Sequence, residues 1–376
     1  MWDIQLFKLN FDQHEKRAVQ DVIASEWLTM GEKTIEFEQK FEEYISNDVS
    51  CSAVSSCTAA LHLSLLGLDI GPGDEVIVPG LTFVASANVV KLVGAKPILS
   101  DCESYENWNM TADNIEKCIT DRTKAIIVVH YAGYPCEIKP ILDLCKERNI
   151  YLIEDVAHAP GASIDGIKCG AWGDIGTFSF FSNKNLSVGE GGMITARDEK
   201  IHNRMRSLRS HGMTSLTLDR HKGRSSTYNV TESGLNYRMD EIRAALGIEQ
   251  LKKLESGNRK RMELTKIYRS NLDNTDIKMP FGEISKTSIS AYHILPVLLP
   301  EGIKRKNVMN FMKENKIQTS IHYPAFWDFE AFKDDCDRKD APYVAEICDR
   351  QLTLPLYPTM TEEEVNKVTN CIKKAI

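Results

Sequence analysis

The chain has 376 residues, 42% hydrophobic and 26% charged, a balance that fits a globular protein with a sizeable core. Its net charge of −7 offers no global basic field for nucleic acid or an acidic membrane surface. The ten cysteines form no C-x-x-C spacing and no paired framework, so they read as reduced thiols rather than a disulfide scaffold.

The start, MWDIQLFKLNFDQHEK, lacks the basic opening, apolar block and small-residue cleavage site of a signal peptide. No apolar run approaches the length of a membrane span, and the expected location is the cytoplasm. After this arm, TIEFEQKFEEYI sets Phe37, Phe41, Tyr44 and Ile45 at helical spacing. Short apolar strands and helices then alternate. The strands are expected at 52–56, 75–78, 96–100, 124–130, 150–154, 176–181 and 192–196. Helices are expected at 59–68, 83–92, from about Thr111, and 138–148. Strands apolar on both faces and separated by helices define an α/β fold with a mostly parallel sheet covered on both sides. In such a sheet the loops after the strands' carboxyl ends gather on one edge, where ligands bind.

From 239 to 270 the pattern is long and helical, followed by a mixed segment with a strand in YHILPVLL and a helix in VMNFMKENKI. The boundary is placed near 250. A large unit with the N-terminal arm (1–250) is then followed by a smaller C-terminal α+β unit (251–376).

Four features fall on the expected edge. In SSCTAALHLSL (55–65), small polar residues lie between a strand and a helix, whose first N–H groups are free to bind an anion. N-capping by Ser56 or Thr58 would explain the same residues. In YLIEDVAHAPGA, a strand ends in Glu154 and Asp155, with His158 three residues on; a carboxylate buried there needs a cationic partner. Phe83 follows a third strand and offers a ring face. Finally, FSFFSNKNLSVGEGGM puts Lys184 between an aromatic run and a glycine-rich loop. Taken singly, each has a bland reading: a cap, a solvated loop start, a core ring, a solvated lysine. Together they complement the phosphate, pyridine nitrogen, flat ring and aldehyde of pyridoxal phosphate.

With those blocks assembled, the chain resembles the DegT/DnrJ/EryC1/StrS sugar aminotransferase family, pyridoxal-phosphate enzymes of the aspartate-aminotransferase-like type I fold. The resemblance runs from EWLTMG (26–31) through the motifs above to GLNYRMDEIRAALG (234–247), AYHI (291–294), IHYP (321–324) and LPLYPTMT (354–361). It implies that Lys184 holds the cofactor as a Schiff base and that Asp155, rather than Glu154, meets the pyridine nitrogen. It sets Phe83 and His158 beside the ring, and Cys57, Thr58 and Ser179 at the phosphate. Asn236 matches an asparagine that reaches the phosphate of the neighbouring subunit's cofactor, which implies a homodimer with shared active sites. Gly31, His322 and Tyr323 match positions on the substrate side. Cys57 departs from the glycine commonest at its position.

The resemblance implies a transaminase that takes an amino group from a donor such as glutamate, with pyridoxamine 5'-phosphate as intermediate. The acceptor would be a keto- or aldehyde-sugar, nucleotide-linked, in polysaccharide or secondary-metabolite sugar biosynthesis. The alternatives are a cyclitol ketone or free sugar acid as acceptor, and a sugar dehydratase; relatives of the last kind carry histidine where this chain has Lys184. Arg220, Lys222 and Arg224, in the polar loop 214–230, could meet a nucleotide diphosphate or simply face solvent.

Overall fold

The computed structural model describes residues 1–376 except 216–217, 219–220, 224–225 and 283–284; Arg220 and Arg224 lie outside the described residues. In chain order the first strands are β1 (Ser50–Val54), β2 (Glu75–Pro79), β3 (Lys96–Ser100), β4 (Thr123–Val129) and β5 (Tyr151–Asp155). A small hairpin, β6 (Ser163–Ile164) and β7 (Ile167–Lys168), precedes β8 (Ile175–Ser179) and β9 (Gly192–Ala196). The helices through this region are α1 (Gln13–Ala24), α2 (Glu32–Ile45), α3 (Cys57–Gly67), α4 (Ala85–Leu92), α5 (Ala112–Glu116), α6 (Ile138–Arg148) and α7 (Glu199–Leu208).

The central sheet has seven strands in the order β1-β9-β8-β5-β4-β2-β3. Pairings β2–β3, β2–β4, β4–β5 and β5–β8 are parallel, and β9 runs antiparallel to both β1 and β8. Strand β2 is buried at every position, as a strand covered on both faces must be. Parallel neighbours need long crossovers; helices supply those from β2 through β3 and β4 to β5, while the β6–β7 hairpin lies in the one from β5 to β8. The β8–β9 connection contains no helix, so the chain folds straight back: Phe180 N–H donates to Gly191 O, and Val188 N–H to Phe180 O. This return lies at the carboxyl edge of β8, and it carries Lys184.

Helix α8 (Glu241–Leu272) crosses position 250 without interruption. Its first half packs Ala244, Ile248 and Leu254 against Phe37, Phe41 and Phe180. Its second half packs Leu264, Tyr268 and Leu272 into a separate C-terminal cluster. That cluster holds a strand pair, Leu295–Leu298 with Gln351–Leu354, and residues of helices Arg305–Glu314 and Glu362–Ala375. The N-terminal arm, expected with the first unit, joins this second cluster instead: Ile4 pairs with Ile317 and is buried there. An apolar residue in an isolated arm has no local pattern to say which core it enters.

Glu241 opens α8 and also closes the start of α2. Its carboxylate accepts from the N–H groups of Gly31, Lys33 and Thr34 and from the Thr34 hydroxyl, all at 2.7–2.8 Å. These are orphan donors of a helix N-terminus. A side chain on Gly31 would meet Trp27 at 2.4 Å, so glycine is needed there for close approach.

Candidate active site

The carboxyl ends of β1, β2, β5 and β8 surround a cleft of about 400 Å³ whose lining includes Cys57, Thr58, Phe83, Asp155, His158 and Lys184. Ser179, His322 and Tyr323 line it too. Gly31 and Asn236 are absent from that lining. Gly31 starts α2, as described. Asn236 is exposed and bridges Ser210 through its backbone, and the N-cap of α8 is Asp240, not Asn236.

At one end lies the start of α3. Ser56 is its N-cap, with its hydroxyl accepting from Ala59 N–H at 3.1 Å. The N–H groups of Cys57 and Thr58 precede any intrahelical partner, and both residues line the cleft. This end presents N–H donors and the positive end of a helix dipole to an anion.

Asp155, 5% exposed, ends β5 on the cleft floor. It accepts from Ala157 N–H at 3.0 Å and from the Ser86 hydroxyl at 3.2 Å, and the Cys57 thiol lies 3.9 Å away. Burial pushes its carboxyl above the usual range, opposed by the Ala157 N–H, by Lys184 and by Ser86. Among the described residues it forms no ion pair, so a buried carboxylate is left facing the cleft.

Glu154, the preceding residue, is spent on structure. It is fully buried, with its carboxylate taking the N–H groups of Gly170, Trp172 and Gly173 and facing His130 Nε2 at 3.0 Å. Alternation along a strand sends adjacent side chains to opposite faces, so only one of the two acids can reach the cleft.

Lys184 lies in the β8–β9 return, its N–H donating to Phe181 O at 2.9 Å. Burial lowers its amine to about 8, against the opposing pull of Asp155 and Cys57. About a tenth of it is then neutral at pH 7, far more than for an ordinary lysine near 10.4, which makes it a usable nucleophile and base. Phe83 is 54% exposed at the cleft, its ring 5.5 Å from that of Tyr323. His158 receives Ala132 N–H on Nδ1 at 3.2 Å, and its Nε2 lies 2.8 Å from the Tyr323 hydroxyl. Burial, then the charge of Lys184, keep His158 well below the ordinary histidine range. A neutral ring with Nδ1 occupied as acceptor carries its proton on Nε2 and donates it to Tyr323 Oη. The Tyr323 hydroxyl proton is thereby released from that contact. His322 is anchored through Nδ1 to Thr353 at 2.9 Å.

Sequence reasoning missed Ser86 and His293, and Asn183, which lines the cleft next to Lys184. Ser86 lies in α4, four residues after Thr82, and touches Asp155 only because α4 follows β2 onto the same edge. His293 precedes a strand in AYHI, where nothing local marks it, yet its Nε2 lies 3.5 Å from Lys184 Nζ.

A helix N-terminus open to an anion, a buried carboxylate open to a cation and a lysine amine lowered by burial are the features that a pyridoxal-phosphate-dependent aminotransferase requires. Consistent with that class, the pattern of the DegT/DnrJ/EryC1/StrS aminotransferase family matches residues 10–373. The chain belongs to this family of sugar aminotransferases, whose members use pyridoxal 5'-phosphate; relatives are known in their PLP and PMP forms. It is 38% identical to the uncharacterized protein MJ1066 of Methanocaldococcus jannaschii, over 98% of this chain and 97% of that one. Its fold is similar to that of the aminotransferase TlmJ from Streptoalloteichus hindustanus (TM-score 0.90, 30% identity, 100% and 98% of the two chains). It is also similar to Helicobacter pylori PseC, an aminotransferase involved in the biosynthesis of pseudoaminic acid (TM-score 0.89, 26% identity, 99% and 98%).

Proposed function

We propose that this aminotransferase moves an amino group from glutamate to a keto- or aldehyde-sugar carried on a nucleotide, in the cytoplasm, as a homodimer. The observation that carries amino transfer is Lys184 in the cleft beside Asp155, and membership in a family of sugar aminotransferases supports the sugar acceptor. An amine at that position supports transfer rather than dehydration. The relation to PseC supports a route that builds an amino sugar.

Bound pyridoxal phosphate supplies an aldehyde carbon and a ring that accepts electrons. On this reading the Cys57 and Thr58 N–H groups and the Ser179 hydroxyl would hold its phosphate, and Phe83 and His158 would lie beside its ring. Asp155 keeps the ring nitrogen protonated, offsetting its own burial by the charge it gains as partner. Lys184, in the β8–β9 return, would hold the aldehyde carbon. When free, its amine would take a proton from the amino donor's α-carbon and give it back, acting as base and then as acid. His322 and Tyr323, with the freed Tyr323 hydroxyl proton, meet the sugar. Gly31 and Asn236 do not reach their own chain's cleft, and we place them at the cleft of a second copy.

The test is to load the protein with pyridoxamine phosphate and screen free and nucleotide-linked keto-sugars for recovery of the pyridoxal absorbance. Turnover of free cyclitol ketones or sugar acids in preference to every nucleotide-linked sugar would overturn the acceptor assignment.

A further inference from the structure

We propose that His293 is a positioning residue for Lys184: the lone pair on its Nε2 accepts one N–H of the Lys184 side chain and aims the amine into the cleft. The proposal rests on Lys184 being the cofactor lysine.

The tautomer of His293 follows from a chain of hydrogen bonds that ends on backbone carbonyls. Asn258 Nδ2 donates to Pro160 O at 2.9 Å, which turns Asn258 Oδ1 toward Asn185. Asn185 Nδ2 donates to that Oδ1 and to Ala291 O, both at 2.7 Å. A carbonyl oxygen only accepts, so neither amide can be flipped without losing a bond. Asn185 Oδ1 therefore faces His293 Nδ1 at 2.9 Å and requires a proton there. A neutral ring protonated on Nδ1 carries a bare Nε2, the atom 3.5 Å from Lys184 Nζ.

The ring is held neutral and in place. It is 3% exposed, and burial first, then the charges of Lys184 and Arg261 among its neighbours, push it well below the ordinary histidine range. Its backbone is pinned on both sides, with His293 N–H donating to Ala132 O and Arg261 donating to His293 O at 3.0 Å. The 3.5 Å separation is long for a hydrogen bond and shortens with a small rotation about the lysine's terminal bonds. An amine tethered by one N–H has fewer directions left for its own lone pair. That restriction is the contribution we assign to His293.

Among the described residues, the charged and titratable groups that line the cleft with Lys184 or act on its amine are Asp155 from β5, Cys57 from α3, Glu190 from the β8–β9 return, His158, His293, and His322 with Tyr323. Of these only His293 offers a bare nitrogen within reach of Nζ in the hydrogen bonds seen here.

Two variants separate positioning from packing. His293→Asn can occupy the Nδ1 position and keep the bond to Asn185, but it falls short of Lys184. His293→Gln is long enough to return an oxygen to the Nε2 position. In the full chain freed of cofactor, 15N spectra of histidine-labelled protein should show one ring, lost in either variant, protonated on Nδ1 and bare on Nε2. The pKa of Lys184, read from acetic-anhydride labelling of its peptide against pH, should fall in His293→Asn and return in His293→Gln. In the loaded enzyme, the single-turnover rate with glutamate should drop about ten- to hundredfold in His293→Asn, the scale of a misplaced reacting group, with glutamate affinity kept. A ring protonated on Nε2, or a Lys184 pKa unchanged in a folded His293→Asn chain, overturns the proposal. Where His293→Asn does not fold, the native tautomer, assigned through His293→Gln, decides alone. A cofactor found on another lysine would instead be a failure of the Lys184 assignment, and the two spectroscopic results would stand apart from it.

Discussion

Glu154 and Asp155 are consecutive in β5, yet one carboxylate is closed in by three N–H groups and a histidine while the other faces the cleft beside Ser86 and Lys184. Substitution should split these roles. Asp155→Asn removes the charge that holds a ring nitrogen protonated, and turnover should fall by about 10²–10³-fold, as for loss of one preorganised electrostatic contact. Its thermal midpoint should change little. Glu154→Gln turns an NH₂ group toward backbone N–H donors and should cost about 1–3 kcal/mol for each donor left unpaired. Its main effect should therefore be on denaturant midpoint, measured alongside turnover. The reverse pattern, activity lost in Glu154→Gln and kept in Asp155→Asn, would mean that the wrong acid has been chosen.

Lys184→Ala should abolish overall transamination and leave the fold intact, because the lysine belongs to none of the apolar clusters among the described residues. Borohydride reduction of the loaded native chain, followed by peptide mapping, should place the pyridoxyl group on Lys184. A label on any other lysine rejects the assignment.

The Lys184 amine should titrate near its lowered value of about 8 in the cofactor-free protein. Burial favours the neutral amine, so the group is a cation below that pH and reactive above it. Its labelling rate by acetic anhydride should rise with pH to about 8 and then level, while ordinary surface lysines keep rising toward about 10.4. A Lys184 peptide that titrates with the surface lysines would contradict its burial in solution.

Asn236 tests the shared site. It lies outside its own cleft, so Asn236→Ala should weaken cofactor retention only through a partner, by about 1.5–3 kcal/mol for a charge-assisted bond. Mixing Asn236→Ala chains with Lys184→Ala chains gives heterodimers whose one intact lysine is served by the native asparagine of the other chain. That site should retain cofactor normally. Retention as weak as in the Asn236→Ala homodimer would show that the asparagine acts within its own chain.

Much of this architecture is legible in the sequence. The central strands declare themselves because burial on both faces leaves their middles apolar, as at 76–78 in β2 and 125–129 in β4. The cleft residues were readable as a set, since a small-residue helix start, a strand-end acid and an edge lysine converge only if the strands are parallel. What stayed hidden depends on long-range partners. His293 acquires its meaning from Asn185, 108 positions away, and Gly31 from Glu241, 210 positions away. The reversed direction of β9 was equally silent, because a glycine-rich loop without a helix is the only sign of a return. Lys222, read as a possible nucleotide contact, pairs with Glu32 at 2.5 Å in this chain.

Helix α8 has one further consequence, for the way the molecule comes apart. Its two halves belong to different apolar clusters, and its interior contains no proline at which the clusters could separate. Melting the C-terminal cluster alone would strip Leu264, Tyr268 and Leu272 of their cover and leave half a helix projecting into water. The two units therefore share a cooperative fate, and heating should produce a single transition rather than two. A ligand that grips only the cleft then stabilises the whole chain, C-terminal cluster included, by an amount set by its concentration relative to its dissociation constant.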